Sequence, residues 1–203
     1  MPAGFLIAVE GIDGSGKTTQ ARLLVEWLGK RGFEARYTCE PTSGPFGKIL
    51  RSMAYARRVD SRVEALLFAA DRLHHLERVI MPLLEKGFIV VSDRYLHSSL
   101  AYQSVATGEQ EWVEEINKFA RRPDLGIYLD IGASEGLNRL RRRRKRSRFE
   151  DEAFLERVRE KYLEYVGRGE LVRVDARGPV NEVFSEVASI VERALSDGGE
   201  DCY

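Results

Sequence analysis

Cysteine is nearly absent from this chain: there are two in 203 residues, Cys39 and Cys202, the second within the closing octapeptide. Two thiols so placed make neither a disulfide framework nor a zinc pattern. Net charge is absent too. Thirty-two basic side chains balance thirty-two acidic ones, so global charge gives no reason to expect a polyanionic partner. Long apolar runs are missing: no stretch reaches the roughly 20 residues of a membrane span. The opening "MPAGFLIAVEG" has neither a basic leader segment nor an apolar run of signal-peptide length. The expectation is a cytoplasmic protein with no membrane and no nucleic-acid partner. Hydrophobic residues at 43% and charged residues at 32% place the chain in the globular class, and its length suits one domain, residues 1–203, with a sizeable core. The closing "SDGGEDCY" reads as a frayed tail, with disorder expected over 197–203.

Short apolar runs alternate with longer helical patterns. "FLIAVE" (5–10), "ARYTC" (35–39), "FIVVSD" (88–93), "LGIYLD" (125–130) and "LVRVD" (171–175) read as strands. Several are apolar throughout, as befits strands covered on both faces. Helical patterns fall at about 17–31, 46–58, 61–86, 97–106, 110–121, 133–142, 151–166 and 179–196. The alternation predicts an α/β fold: a parallel sheet of five strands flanked by helices.

Residues 9–19, "VEGIDGSGKTT", place three glycines among eleven residues, although glycine loses the most chain entropy on ordering. Within them "GIDGSGKT" matches G-x-x-x-x-G-K-[ST], between a predicted strand and a predicted helix. Glycines let backbone N–H groups turn inward around phosphate oxygens, and the helix N-terminus adds its positive dipole end. The candidate nucleoside triphosphate loop is therefore Gly11, Ile12, Asp13, Gly14, Ser15, Gly16, Lys17, Thr18 and Thr19. Lys17 would reach the terminal phosphates and Thr18 would coordinate Mg²⁺.

Asp93 and Arg94 end an apolar strand. The acid suits Mg²⁺ or its waters, and the arginine suits a second phosphate; a surface ion pair is the plain alternative. Arg51, on the helix after "EPTSGPFGKIL", is a further clamp or simply a solvated residue. In "DSRVEALLFAADRLHHLERVIMPLLEKG", at about 100° per residue, Val63, Leu66, Ala70, Leu73 and Leu84 share one side. Phe68 and Arg72 lie one turn apart on roughly the opposite side. They offer a stacking face and a bidentate donor to a base, or else a core phenylalanine and a solvated arginine. The three histidines, His74, His75 and His97, read as structural or solvated. The basic run "RLRRRRKRSRFEDE" (139–152) has three readings: a nucleic-acid patch, a solvated face, or an arginine-bearing lid of about 139–150. The phosphate loop favours the lid.

These stretches together resemble the thymidylate kinase family, from about Phe5 to Leu195. The resemblance rests on "EGIDGSGKTTQ", "EPT…GKILR", "LLFAADRLHHLE", "SDRYLHSSLAYQ", "YLD" and "SRFEDEAFLERVREKYLEY", in that order and spacing. It implies a three-layer P-loop kinase fold with a short arginine-rich lid, ATP and dTMP as substrates, Mg²⁺ with the ATP, and a homodimer. By resemblance, Asp13 faces the acceptor's sugar and phosphate, Glu40 lies near acceptor and metal, and Arg51 and Arg94 hold the dTMP phosphate. Phe68 stacks on thymine, Arg72 donates to its carbonyl, and Ser99 lies near the base. Tyr102 sits under the deoxyribose, with Gln103 beside it. Thr18 and Asp93 serve the metal. Some members carry an arginine inside the phosphate loop; this chain has Gly14 there, which by resemblance moves the catalytic arginine to the lid, with Arg143 and Arg148 as candidates. The loop "EPTSGP" departs from the "EPGGT" of many bacterial members and is similar to the archaeal form.

Three other readings stay open at this point: a kinase of the same fold for another nucleotide, a nucleotide-switched binding protein, and a nucleic-acid binder using residues 139–148.

Overall fold

The computed structural model describes residues 4–53, 59–140 and 151–197. Five parallel strands form one sheet: β1 (Phe5–Glu10), β2 (Ala35–Cys39), β3 (Ile89–Asp93), β4 (Leu125–Asp130) and β5 (Val172–Asp175), in the order β2-β3-β1-β4-β5. The apolar runs become the central strands. β3 and β4 are buried along their whole length, and β1 from Leu6 onward, because helices cover both faces. The edge strands β2 and β5 have exposed positions instead.

The helices are α1 (Lys17–Lys30), α2 (Pro45–Met53), α3 (Ser61–His75), α4 (Met81–Leu84), α5 (Leu96–Thr107), α6 (Gln110–Ile116), α7 (Ala133–Leu140), α8 (Glu152–Gly167) and α9 (Val180–Asp197). A π turn, Leu76–Ile80, joins α3 to α4, so the single helix expected over 61–86 is one rod with an inserted residue. Asp60 and Asp151 start α3 and α8 by accepting the backbone N–H of Arg62 and Phe154, both at 2.8 Å. The helix expected over 110–121 stops at Ile116, where Asn117 turns inward and Ala120 N–H closes a turn on its carbonyl. Residues 54–58, the arginine-rich 141–150 with Arg143 and Arg148, and the tail beyond 197 lie outside the described residues. Among the described residues, no helix is long and apolar enough to cross a membrane.

β1 is the switch point of the sheet. It pairs with β3 on one side and β4 on the other, with Val9 level with Asp93 and Glu10 level with Tyr128. A crevice opens at the carboxyl ends of strands where the winding reverses, and ligands of such sheets bind there. The glycine-rich loop leaves β1 at that point.

α3 runs contrary to a simple core-stripe reading. Its polar side faces inward: Glu64, Asp71, Arg72 and His75 are buried. Its apolar side faces out, with Val63, Leu66 and Leu73 each 40–50% exposed, although Leu84 is buried. The charged side points at the crevice, where Asp71 bonds to Thr42, Arg72 to Glu40, Ser99, Asn117 and the Tyr95 carbonyl, and His75 to Glu40 and Thr38.

Candidate active site

The phosphate loop takes its shape from glycine where no other residue fits. Gly11 has φ 148°, and a Cβ there would meet Ser15 Oγ at 2.6 Å and Leu129 O at 2.7 Å. Gly14 has φ 85°, and a Cβ would fall 2.2 Å from the carbonyl oxygen of Gly136 on α7. The loop is therefore wedged between β4 and α7, with α1 beginning at Lys17. The Lys17 ammonium donates to the Ile12 carbonyl at 2.7 Å. Its burial, and then the charge of Arg94, lower its pKa to about 8. Ser15 Oγ is buried and, among the described residues, has no hydrogen-bond partner.

Thr18 and Asp93 meet at the sheet's carboxyl edge: the threonine hydroxyl donates to Asp93 Oδ2 at 2.5 Å. Tyr37, on β2, donates to the same oxygen at 3.2 Å. A hydroxyl and a carboxylate side by side are hard oxygen donors. They suit Mg²⁺, which takes few protein ligands and completes its shell with phosphates and water.

Arg94 follows Asp93 in the left-handed region, with φ 66°. Such a conformation costs a non-glycine residue on the order of 1–3 kcal/mol and is held only where the surroundings over-determine it. Here Arg94 N–H bonds to Val9 O at 3.0 Å, and its guanidinium pairs with Asp13 Oδ1 at 2.5 Å. It also lies 5.1 Å from the Tyr102 ring centre, while the Tyr102 hydroxyl accepts the Asp13 N–H at 3.1 Å. Glu10 supports the turn from below. Fully buried at the end of β1, its carboxylate accepts the N–H groups of Tyr95 and Ser98, the Ser98 hydroxyl at 2.5 Å and the Tyr162 hydroxyl. It thus caps α5 from another element.

Beyond Arg94 lies a cavity of about 740 Å³ including its mouth. Asp13, Glu40, Arg51, Phe68, Arg72, Arg94, Ser99, Tyr102 and Gln103, from six separate stretches of sequence, all line it. A second, wider cavity over the phosphate loop is lined by Gly14, Gly16, Lys17, Thr18, Thr19 and Asp93. Asp13, Glu40, Pro41, Arg51 and Arg94 belong to both.

Arg72 is not a solvated residue. It is 1% exposed and donates to Glu40 Oε2 at 2.8 Å, Asn117 Oδ1 at 2.5 Å, Ser99 Oγ at 2.9 Å and the Tyr95 carbonyl at 3.0 Å. Its Nε is buried and, among the described residues, has no hydrogen-bond partner. Glu40 bonds through its other oxygen to His75 at 3.1 Å, and His75 reaches Thr38 at 2.6 Å, so this histidine has the structural role expected of it. The "EPT" turn is pinned by Asp71, which accepts the Thr42 N–H at 2.7 Å and hydroxyl at 2.6 Å. Arg51 remains exposed and donates to the Pro41 and Thr42 carbonyls.

Glu64, Ser98, Glu10 and Asn117 are among the site residues that the sequence reading did not name. Glu64 lines the cavity beyond Arg94 one turn before Phe68, and that i, i+4 spacing is a usable signal. Ser98 stands next to Ser99. Glu10 ends an apolar strand, a position from which an acid is seldom read. Asn117 comes from the end of a different helix, and no local pattern marks it.

A phosphate loop, an acid beside its threonine and a second arginine-lined cavity facing both define a P-loop kinase. The comparisons with known proteins narrow the class. The family model for thymidylate kinase matches residues 9–187. A "Probable thymidylate kinase" of Pyrococcus abyssi is 43% identical over 200 residues, covering 95% of this chain and 98% of that protein. Another of that description, from Staphylothermus marinus, is 43% identical over 189 residues, with 93% and 94% covered. A third, from Pyrobaculum calidifontis, is 42% identical over 191 residues, with 94% and 97% covered. The chain belongs to the thymidylate kinase family, and it is an enzyme. The family's reaction is ATP-dependent phosphorylation of dTMP to dTDP.

Proposed function

We propose that this chain transfers the γ-phosphoryl group of ATP to the 5′-phosphate of dTMP between its two cavities, within one domain spanning residues 1–203. The observation that carries the reading is the set of residues the cavities share: Asp13, Glu40, Arg51 and Arg94 stand where donor and acceptor phosphates would meet. An oxygen of the dTMP phosphate attacks the γ-phosphorus, the bond to the β,γ-bridging oxygen breaks, and ADP leaves. The acceptor is an anion at neutral pH, so the step needs no strong base. The protein's task is alignment and charge neutralisation, because two polyanions must approach against their repulsion.

Gly11–Thr19 cradle the triphosphate, with Lys17 at its terminal phosphates. Thr18 and Asp93 would hold Mg²⁺, which would supply charge stabilisation on the phosphate oxygens. Arg94, aimed by Asp13, and Arg51 clamp the acceptor phosphate. Phe68 offers its ring to the pyrimidine. Arg72, which lines the same cavity as Phe68, faces the base's carbonyl. Ser99 and Gln103 complete the polar wall, and Tyr102 crowds a 2′-hydroxyl. The lid of about 139–150 closes with Arg143 or Arg148 and excludes water. Arg139, at its base, donates to the carbonyls of Ala176 and Arg177 at 3.0 and 3.2 Å and lines the ATP-side cavity. An enzyme of dTTP supply so built would work in the cytoplasm.

ADP release from ATP–Mg²⁺ with dTMP, dUMP, dCMP, dGMP, dAMP, thymidine or no acceptor tests this. Strong turnover with dTMP, less with dUMP and little with the others is expected. Turnover favouring another acceptor would overturn the roles of Phe68 and Arg72. Slow hydrolysis indifferent to every acceptor would overturn phosphoryl transfer itself.

The exposed apolar side of α3 supports a homodimer. Val63, Leu66 and Leu73, with Val79 within the π turn, are 39–50% exposed, a set of apolar side chains that water would not favour. Sedimentation should give twice the 23.1 kDa chain mass, and Leu66→Glu should shift it to the monomer. A monomeric wild type would sink the dimer.

A further inference from the structure

Tyr37 takes no part in the phosphate loop, nor in the cavity beyond Arg94, yet its hydroxyl ends at the candidate metal acid. It projects from the edge strand β2, where its Cα pairs with Val91 while Cys39 pairs with Asp93. Among the described residues, both side-chain hydrogen bonds to Asp93 fall on one oxygen: Oδ2 accepts from Thr18 at 2.5 Å and from Tyr37 at 3.2 Å. Two donors on one carboxylate oxygen restrict the rotation of the group and, among the described residues, leave Oδ1 without a side-chain donor. Tyr37, Thr18 and Asp93 all line the open cavity over the phosphate loop. α1 locks both donors. Thr18 and Arg22 are one turn apart on it, and the Arg22 guanidinium sits 5.2 Å from the Tyr37 ring centre.

We infer that Tyr37 is a positioning residue for the Mg²⁺ site, holding Asp93 by Oδ2 so that its other oxygen would be left to serve the metal or its waters. This rests on the proposed role of Asp93. Partners of this kind, one step behind a metal's own ligands, commonly change metal affinity by 10- to 100-fold when removed.

The test is calorimetric titration of ADP into the full-length protein, with Mg²⁺ and separately with EDTA, for wild type, Tyr37→Phe and Asp93→Asn. Tyr37→Phe keeps the ring beneath Arg22 and removes only the hydroxyl. The expected result is an unchanged ADP affinity in EDTA, with the gain on adding Mg²⁺ reduced about tenfold. The Mg²⁺ concentration for half-maximal turnover should rise by a similar factor, and excess Mg²⁺ should restore most of kcat. A wild-type Mg²⁺ gain in Tyr37→Phe, with that gain lost in Asp93→Asn, would overturn the inference and leave Asp93's role standing. A wild-type gain in both would overturn the two together. A loss of ADP affinity in EDTA as well would show that the hydroxyl acts through packing, and would overturn it too.

Discussion

Arg94→Ala should lower kcat about a thousandfold while ATP affinity stays within a few-fold of wild type; electrostatic clamps on a transferring phosphoryl group are worth this much. The backbone argues that the loss will be chemical. Arg94 already carries a Cβ at φ 66°, so alanine adds no strain that arginine did not have. Its side chain is 18% exposed and ends on Asp13, at the seam of the two cavities. Asp13, at 34% side-chain exposure, can take water in place of the lost guanidinium. Arg94→Lys should recover only part of the rate, because an ammonium cannot serve Asp13 and a phosphate with the same fork. Single-turnover kinetics beside calorimetric ATP binding separates the outcomes. A kcat within tenfold of wild type would remove Arg94 from the transition state.

Glu40→Ala should destabilise the fold by about 3–5 kcal/mol, since it strands the buried Arg72 charge. Arg72 and Glu40 are 1% and 3% exposed at their side chains, and the same carboxylate also holds His75. Removing it leaves a guanidinium with neutral partners only, away from water. For a chain of this length the melting temperature should fall by on the order of 10 °C. Glu34→Ala is the control: its side chain is 72% exposed and its contact with Arg36 is 4.0 Å long, so a change within about 0.5 kcal/mol is expected. Equal melting temperatures for the two variants would show that the Arg72 cluster relaxes without its carboxylate. The pairing also bears on function, because a guanidinium held by Glu40, Asn117, Ser99 and the Tyr95 carbonyl cannot swing away from the cavity it lines.

Much of this was readable along the chain. A strand covered on both faces must be apolar at successive positions, so "FLIAVE", "FIVVSD" and "LGIYLD" announce a parallel sheet. A loop that receives phosphate must bring backbone within reach, so glycines at 11, 14 and 16 before Lys17 and Thr18 mark it. These are local demands, met within a dozen residues, and spacing records them. The candidate acceptor residues came from resemblance in order and spacing. Spacing alone left Phe68 and Arg72 open to a blander reading.

Tertiary structure decided what depends on partners far apart in sequence. The direction of α3 is one such matter: helical spacing separates its two sides equally well whichever faces inward. Only Glu40, Thr38, Thr42, Ser99 and Asn117, brought from the end of β2, the turn after it, α5 and the end of α6, make the charged side the buried one. The state of Arg72 is another, since Glu40, Ser99 and Asn117 stand 27–45 residues away from it. The cap that Glu10 places on α5 and the hold of Tyr37 on Asp93 are of the same kind. By itself the sequence determined the strands, the phosphate loop and the order of the elements, because hydrophobic period and backbone freedom act over short spans. The packed fold alone determined which charges are buried, paired and aimed, because electrostatic satisfaction depends on distance in space.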